Sequence, residues 1–439
     1  MRNNARWAAL NALERCRRDG TWSSQALDSA LLCMNLEDRD ASLASRLFFG
    51  VLQNESYLDH YIDLYCRAKL EPRVRQILRI GAYQLLLLDK IPSHAAVSET
   101  VELCRDGKTD RAASLVNAVL RRLSASGNDL PPIPGEGSAA YLSTRYSHPL
   151  WFAEKLVRDY GYSFTEAFFQ SNNGVAPLCI QINRQRIQPE AYQRTLDRLE
   201  IPYQSFPELP GCIELPGGKI SDLPGFAEGL FYVQDRAARA AVQAAGIQPG
   251  MKVLDACAAP GGKSFAAALD AEGRCSIHSC DLHEKKLLLL RENAERLGLA
   301  ACMETEAVDA RVFHPDWKSF FDVVLADVPC SGLGVIRKRP EIRRKSPDDL
   351  KDLPRIQASI LDTVCRYVKP AGVLLYSTCT ILSEENRDQV DAFLRHHEEF
   401  YAEDFSFGNL SSSGGCFDFW PHIHGTDGFF AAKLRRKPL

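Results

Sequence analysis

From Val253 onward the apolar runs VLDAC, CSIHSCD, FDVVLADV and VLLYSTC alternate with helical stretches such as EKKLLLLRENAERLG. This alternation restricts the fold more than any other feature. Short continuous apolar runs read as strands buried on both faces, and a helix between two such strands lays them parallel. The pattern predicts a parallel sheet with helices on both faces, a Rossmann-like α/β architecture. At 439 residues the chain exceeds what one core accommodates, so further domains are expected upstream.

Residues 1 to about 125 carry few strand signals. Ala112, Leu115, Val116, Val119, Leu120 and Leu123 fall at helical spacing, and Val74, Ile77, Leu78 and Leu85 repeat the pattern, which predicts an all-α bundle. The stretch from Ser124 to Ser138, SASGNDLPPIPGEGS, has no periodicity and reads as a linker. Between Tyr141 and Gln234 a strand-like run (LCIQIN, from Leu178) and a helical stretch around Ala191 to Leu199 predict a small α+β domain. The expected division is therefore 1–136, 141–234 and 235–439. No internal repeat is evident.

The basic, amphipathic first residues lack the apolar centre of a signal peptide, and no later run approaches the length of a membrane span. A soluble, cytoplasmic protein is expected. The 14 cysteines are scattered through a long chain with no paired CxxC knuckles, so neither a disulfide framework nor a zinc site is expected, and most should be small buried hydrophobes. A net charge of −3 neither announces nor excludes nucleic acid, because phosphate binding needs only local Lys/Arg density.

The segment Val253 to Ser264, VLDACAAPGGKS, runs strand, Pro/Gly turn, helix. That turn lets backbone approach a nucleotide-like ligand closely, although a tight βα turn is all that Gly261 and Gly262 by themselves require. Asp281 ends the next strand, where an acid in this fold accepts hydrogen bonds from ribose hydroxyls. Acids near four successive strand ends, Asp255, Asp281, Asp309 and Asp327, exceed what helix capping needs. All would lie at the carboxyl edge of one sheet, and they point to a nucleoside-containing cofactor.

Two cysteines stand apart from the rest. Cys330 follows Asp327 and Pro329 at one strand end, and Cys379 occupies an equivalent place in LLYSTCTILSEEN. Thiol chemistry alone allows either to be a nucleophile. The loop after Cys330 gathers Arg337, Lys338, Arg339, Arg343, Arg344 and Lys345, and a second group, Arg67, Lys69, Arg73, Arg75 and Arg79, lies in the helical region. Both are candidate phosphate contacts beside the plainer reading of solvated charge.

VLDACAAPGGK, DVPCSGLGVIRKRPEIR, YSTCTILSEEN and HGTDGFF together resemble the bacterial small-subunit ribosomal RNA cytosine-5 methyltransferase B (Sun/Fmu) family. VRQILRIGAYQLLLLDKIPSHAAVSETVELCR and SLVNAVLRRL are similar to a NusB-like helical RNA-binding domain, so the resemblance covers nearly the whole chain. It implies a NusB-like bundle, a small α+β domain and a C-terminal class I methyltransferase domain using S-adenosylmethionine. It implies 16S ribosomal RNA as partner, as naked RNA or an early small-subunit assembly intermediate, and a monomer is expected.

In such enzymes a thiolate adds to cytosine carbon 6, which makes carbon 5 nucleophilic. A proton donor is needed at N3, and a base must later remove the carbon 5 proton, for which Asp327 and Cys330 are candidates. The resemblance assigns attack to Cys379 and release of the methylated base to Cys330. It places Cys257, Ala258, Ala259, Pro260, Gly261, Gly262, Lys263, Asp281, Asp309 and Asp327 at the cofactor, with Asp327 also facing the base. The chain departs from the family pattern at Val328, commonly Ala, and at Arg344, often Trp.

Three other readings compete. A non-catalytic RNA-binding module would explain the NusB-like segment but not VLDACAAPGGK and the paired cysteines. A cytosine-5 methyltransferase for tRNA shares the catalytic motifs but not the NusB-like extension. A nicotinamide dehydrogenase would need GxGxxG, which is missing.

Overall fold

A computed structural model describes residues 4–19, 22–105, 108–127 and 129–438. The chain divides into two compact units, Met1–Gly174 with Ile336–Pro347, and Val175–Val335 with Asp348–Leu439. No helix among the described residues is long and apolar enough to cross a membrane.

The first unit is helical: α1 (Ala5–Asp19), α2 (Ser23–Met34), α3 (Asp38–Gln53), α4 (Glu55–Tyr65), α5 (Pro72–Leu87), α6 (Ser93–Glu102), α7 (Ala113–Ser126), α8 (Ala139–Tyr146), α9 (Leu150–Tyr160) and α10 (Tyr162–Asn172). The apolar spacing read in the sequence becomes its core. Val116, Val119, Leu120 and Leu123 of α7 pack with Val74, Ile77 and Leu78 of α5, Leu10 and Leu13 of α1 and Phe48 of α3. Leu115 is instead exposed. The linker-like stretch packs on the bundle: Ile133 is buried in its core, the Tyr65 hydroxyl lies 2.6 Å from that of Ser126, and Tyr61 donates its hydroxyl hydrogen to the Pro131 carbonyl (3.2 Å).

Several members of the two basic clusters are engaged within the first unit. Arg75 pairs with Asp59 and Asp63, Arg79 with Glu55 and Asp59, and Arg73 with Glu14, so these charges are spent within the bundle. Arg344 pairs with Glu55 at 2.6 Å, and the Arg339 guanidinium lies 5.3 Å from the ring centre of Trp22. Arg343 is buried, where its two terminal nitrogens reach the carbonyls of Gln53, Tyr146, Ser147 and Asn172 and the side-chain oxygen of Asn173. It closes the carboxyl ends of α3, α8 and α10.

In the second unit, β1 (Leu178–Ile182), β2 (Gln204–Ser205), β3 (Cys212–Leu215) and β4 (Phe231–Val233) form an antiparallel sheet in the order β2-β3-β1-β4, with α11 at Pro189–Arg198. Ile180, Ile182, Ile213 and Phe231 pack there with Tyr192 and Leu196 of α11.

After α12 (Arg236–Ala245) comes the main sheet: β5 (Lys252–Asp255), β6 (Ser276–Asp281), β7 (Met303–Ala307), β8 (Phe321–Asp327), β9 (Val368–Thr378), β10 (Phe400–Ala402), and, beyond the ribbon of β11 (Ser406–Phe407) and β12 (Leu410–Ser411), β13 (Cys416–Phe419) and β14 (Phe429–Arg436). Its helices are α13 (Gly262–Asp270), α14 (Glu284–Leu297), α15 (Leu353–Val364), α16 (Arg387–His396) and α17 (Pro421–His424). The order is β10-β14-β9-β8-β5-β6-β7, with β13 on β14. The five strands from β9 to β7 in that order are parallel, as expected. β14 is antiparallel to β9, β10 and β13, so the sheet is mixed. The link from β13, which ends at Phe419, to β14, which starts at Phe429, is too short for the helical crossover that a parallel partner requires.

Candidate active site

Because the chain steps from β5 outward through β6 and β7 and then returns to β8 on the other side of β5, the crevice beyond the carboxyl ends of these strands is a topological switch point, where open α/β sheets bind ligands. Asp255, Asp281 and Asp327 each end a strand there, and Asp309 lies two residues beyond β7. β8 and β9 are neighbours in register Asp327↔Ser377. The loops carrying Cys330 and Cys379 therefore leave the sheet side by side, with the two sulfurs 3.3 Å apart.

A cavity of about 460 Å³ opens at this edge, lined by Asp255, Cys257 through Pro260, Gly262, Lys263 and Asp327 and, farther out, by Phe226, Tyr232, Gln234 and Leu289. Its size falls in the small-molecule range of roughly 300–1,000 Å³. Gly261 has φ of 111° and caps the amino end of α13. A Cβ at this position would meet the Phe265 ring at 2.5 Å, so the turn needs glycine both for its left-handed backbone and for space. The first-turn N–H groups of α13 have no partners within the helix.

Asp327 is held on both oxygens, by Lys263 Nζ at 2.5 Å and the Ser377 hydroxyl at 2.9 Å. Burial acts to lower the Lys263 ammonium, but the neighbouring carboxylates of Asp327 and Asp255 outweigh it and its pKa is raised. Lys263 is thus a persistent cation next to an acid that accepts from two donors. The Cys330 thiol is pushed well above its ordinary value by its hydrogen bond with Cys379 and by burial. At this separation either thiol can donate to the other sulfur. Burial likewise holds Cys257 as a neutral thiol.

Asp255 is fully buried. One oxygen accepts from Ser264 at 2.7 Å, and the other has no hydrogen-bond partner. Desolvation pushes its carboxyl up to about 6, against the opposing pull of Ser264 and Lys263. A folded value above the unfolded one means the native state binds the proton more tightly. The stability associated with it is full below about pH 4 and is lost as pH rises through about 6, by roughly 3 kcal/mol. Asp255→Asn, which keeps an acceptor for Ser264, should remove this dependence. Thermal unfolding of the ligand-free protein between pH 4 and 6.5 should show the variant gaining on the parent as pH rises; a constant gap would sink the idea.

Asp281 is buried and accepts the His283 amide at 3.0 Å. Asp309 is gripped by Arg311 at 2.6 Å, a hydrogen-bonded pair that lowers its pKa. Neither lines the cavity that holds Asp255, Lys263 and Asp327. Two features escaped the sequence reading. Gly334 and Gly428 cross at close range, with the Gly428 amide donating to the Gly334 carbonyl at 2.9 Å and a Cβ on Gly334 falling 1.9 Å from the Gly428 oxygen. The Gly334 amide in turn donates to the Cys379 carbonyl at 3.0 Å. The second is Gln357, wholly buried on the apolar face of α15 beside Ile360, Leu361 and Val364; a polar residue at a core position of a helical period was the available signal.

Residues 243–435 match the family model described as 16S rRNA methyltransferase RsmB/F, residues 3–125 match the NusB family, and residues 148–219 match the ferredoxin-like domain of RsmF/B-like methyltransferases. The chain is 32% identical over 449 residues to the probable ribosomal RNA small subunit methyltransferase B of Bacillus subtilis, covering 99% of both. It is 33% identical to the ribosomal RNA small subunit methyltransferase B of Serratia proteamaculans, covering 98% of both. Among solved structures, the crystal structure of PH0851 superposes with a TM-score of 0.83 at 25% identity, covering 99% of each chain.

Proposed function

Since this chain belongs to the ribosomal RNA small subunit methyltransferase B family and is a methyltransferase of ribosomal RNA, we propose that its target is carbon 5 of a cytosine in 16S RNA, reached through a covalent bond from Cys379 to carbon 6. The observation that carries this reading is the thiol pair, 3.3 Å apart at adjacent strand ends, beside the Lys263–Asp327 ion pair.

The residues at the cavity fit S-adenosylmethionine. The unpartnered oxygen of buried Asp255 suits a ligand carrying positive charge, and the Cys257 to Lys263 turn offers close backbone approach. When bound, this group supplies an electrophilic methyl on a sulfonium sulfur. Asp281 is assigned to the ribose hydroxyls, with Asp309 at the outer end. Asp281→Ala should weaken cofactor binding about 10- to 100-fold, the scale of lost charge-assisted hydrogen bonds. Calorimetry giving unchanged affinity in a folded variant would reject the assignment.

Cys379 attacks carbon 6 as thiolate, its proton having gone to solvent. Charge developing on the ring toward N3 is met by the Lys263 ammonium, which Asp327 aims and whose proton the pair can share. With carbon 6 occupied, carbon 5 is an enamine carbon able to take the methyl group. Attack also consumes the negative neighbour that held the Cys330 proton. Cys330 then ionises to solvent and its thiolate takes the proton from carbon 5. The C5–H electron pair closes the C5–C6 double bond, and the C6–S pair returns to Cys379.

A base within a duplex hides its ring faces, so the cytosine comes from a loop or is flipped out. Residues 1–136 and 141–234 are assigned to RNA placement and 235–439 to chemistry. Incubating the protein with unmodified 16S RNA and methyl-labelled cofactor should place the label in 5-methylcytosine. Label in another nucleoside would overturn the reading.

A further inference from the structure

The two cysteines stand on separate loops, and something must fix their separation. Three contacts fix the loop of Pro329, Cys330 and Ser331. The Gln357 side-chain amide donates both to the Pro329 carbonyl (2.9 Å) and to Glu385 Oε2 (2.8 Å), while that same oxygen accepts the Ser331 amide (2.8 Å). The Ser331 hydroxyl lies 2.6 Å from that of Thr380. One Gln–Glu pair therefore holds the residue before Cys330 and the residue after it.

Glu385 also reaches the other cysteine's strand. Its backbone carbonyl accepts the Tyr376 hydroxyl at 2.5 Å, and adjacent Asn386 accepts from Thr378 at 2.5 Å and donates to the Thr380 carbonyl at 3.1 Å. The turn from Ser383 to Asn386 is thus a bracket with one arm on each cysteine loop. Glu385 and Gln357 are 2% and 0% exposed, and each leaves its Oε1 without a hydrogen-bond partner. Burying a carboxylate held only by neutral donors is costly, and apolar residues of similar volume would pack there at less cost.

We propose that Gln357 and Glu385 are positioning residues that hold Cys330 where it can serve release of the methylated base. The proposal rests on the reading of Cys330 given above. In that step Cys330 must reach the carbon 5 proton while the C6–S bond to Cys379 breaks, so an error of about 1 Å in its loop would slow release by up to about 100-fold. Methyl transfer, which needs Cys379 and not Cys330, would be nearly spared.

The test compares Gln357→Leu, Glu385→Ala and Glu385→Gln with Cys330→Ala in the full chain. Each is incubated with unmodified 16S RNA and S-adenosylmethionine, and covalent protein–RNA adduct is read on denaturing gels beside single-turnover methyl transfer. Gln357→Leu and Glu385→Ala should accumulate adduct, with multiple turnover falling at least about tenfold and the first methyl transfer changing less than about threefold. Glu385→Gln retains an acceptor for Ser331 and should trap less than Glu385→Ala. Adduct in Cys330→Ala but none in Gln357→Leu, or equal loss of transfer and release in folded variants, overturns the positioning role and leaves the function standing. No adduct in Cys330→Ala, on RNA that the parent methylates, removes the release reading itself and this proposal with it.

Discussion

Cys379→Ala should be unable to form an adduct with RNA and should lose methyl transfer by a factor of about 10⁴ to 10⁶, the scale on which removal of a covalent nucleophile acts. Without addition at carbon 6 the ring never becomes nucleophilic at carbon 5, and nothing else at the site replaces that step. Cys330→Ala should behave in the opposite way, keeping the attacking sulfur and trapping RNA covalently. The geometry makes the contrast sharp, because the thiols lie 3.3 Å apart and either could reach the same base. The family resemblance assigns attack to Cys379, and burial with the neighbouring sulfur raises the Cys330 thiol above its ordinary value. Gel bands from both variants with RNA that the parent modifies decide the matter. An adduct in Cys379→Ala and none in Cys330→Ala would reverse the roles.

Arg343→Ala should destabilise the helical unit by about 3–5 kcal/mol, because several buried acceptors lose their donor at about 1–3 kcal/mol each. The guanidinium meets no carboxylate among its hydrogen-bond partners; it meets the last carbonyl of α3 (Gln53), of α8 (Tyr146) and of α10 (Asn172), with Ser147 and Asn173 beside them. Helix carboxyl termini leave carbonyls unsatisfied and carry partial negative charge, so three of them together offset part of the desolvation of one cation, which still lowers the Arg343 pKa to about 9. Removing the cation takes the guanidinium donors from the Gln53, Ser147 and Asn172 carbonyls and from Asn173 Oδ1, while the Tyr146 carbonyl keeps the Asn173 side-chain amide at 3.1 Å. Arg343→Lys should recover little, because an ammonium has three donors and no fork. Denaturant unfolding of the full chain, followed by helical signal, should show an early transition in both variants. A loss below about 1 kcal/mol for Arg343→Ala would mean water replaces the guanidinium freely.

The sequence by itself determined the layers and the edge at which chemistry sits. Apolar runs separated by helical periods can only be buried as a parallel sheet between helices, and a strand that ends in an acid and a Gly turn delivers that acid to the carboxyl edge. Asp255, Asp281 and Asp327 were therefore placed correctly from local pattern, as were the strand ends carrying Cys330 and Cys379. The bundle followed similarly from the 3.6 period of α5 and α7.

Which side chains meet was settled by packing between distant segments. Periodicity describes one element at a time, whereas a hydrogen bond between Gln357 and Glu385, 28 residues apart, depends on how α15 and the turn after β9 fold back on the same loop. Charge is the clearest case. Arg343 and its neighbours read as solvated or RNA-facing cations, since a run of basic residues gives no sign of the helix ends that will surround one of them. Whether such a charge faces water or three converging carboxyl termini is set by packing among segments distant in the chain. The antiparallel β14 has the same origin. Its residues fit a buried strand in either direction, and the short link from β13, not the pattern within the strand, sets its antiparallel sense against β13.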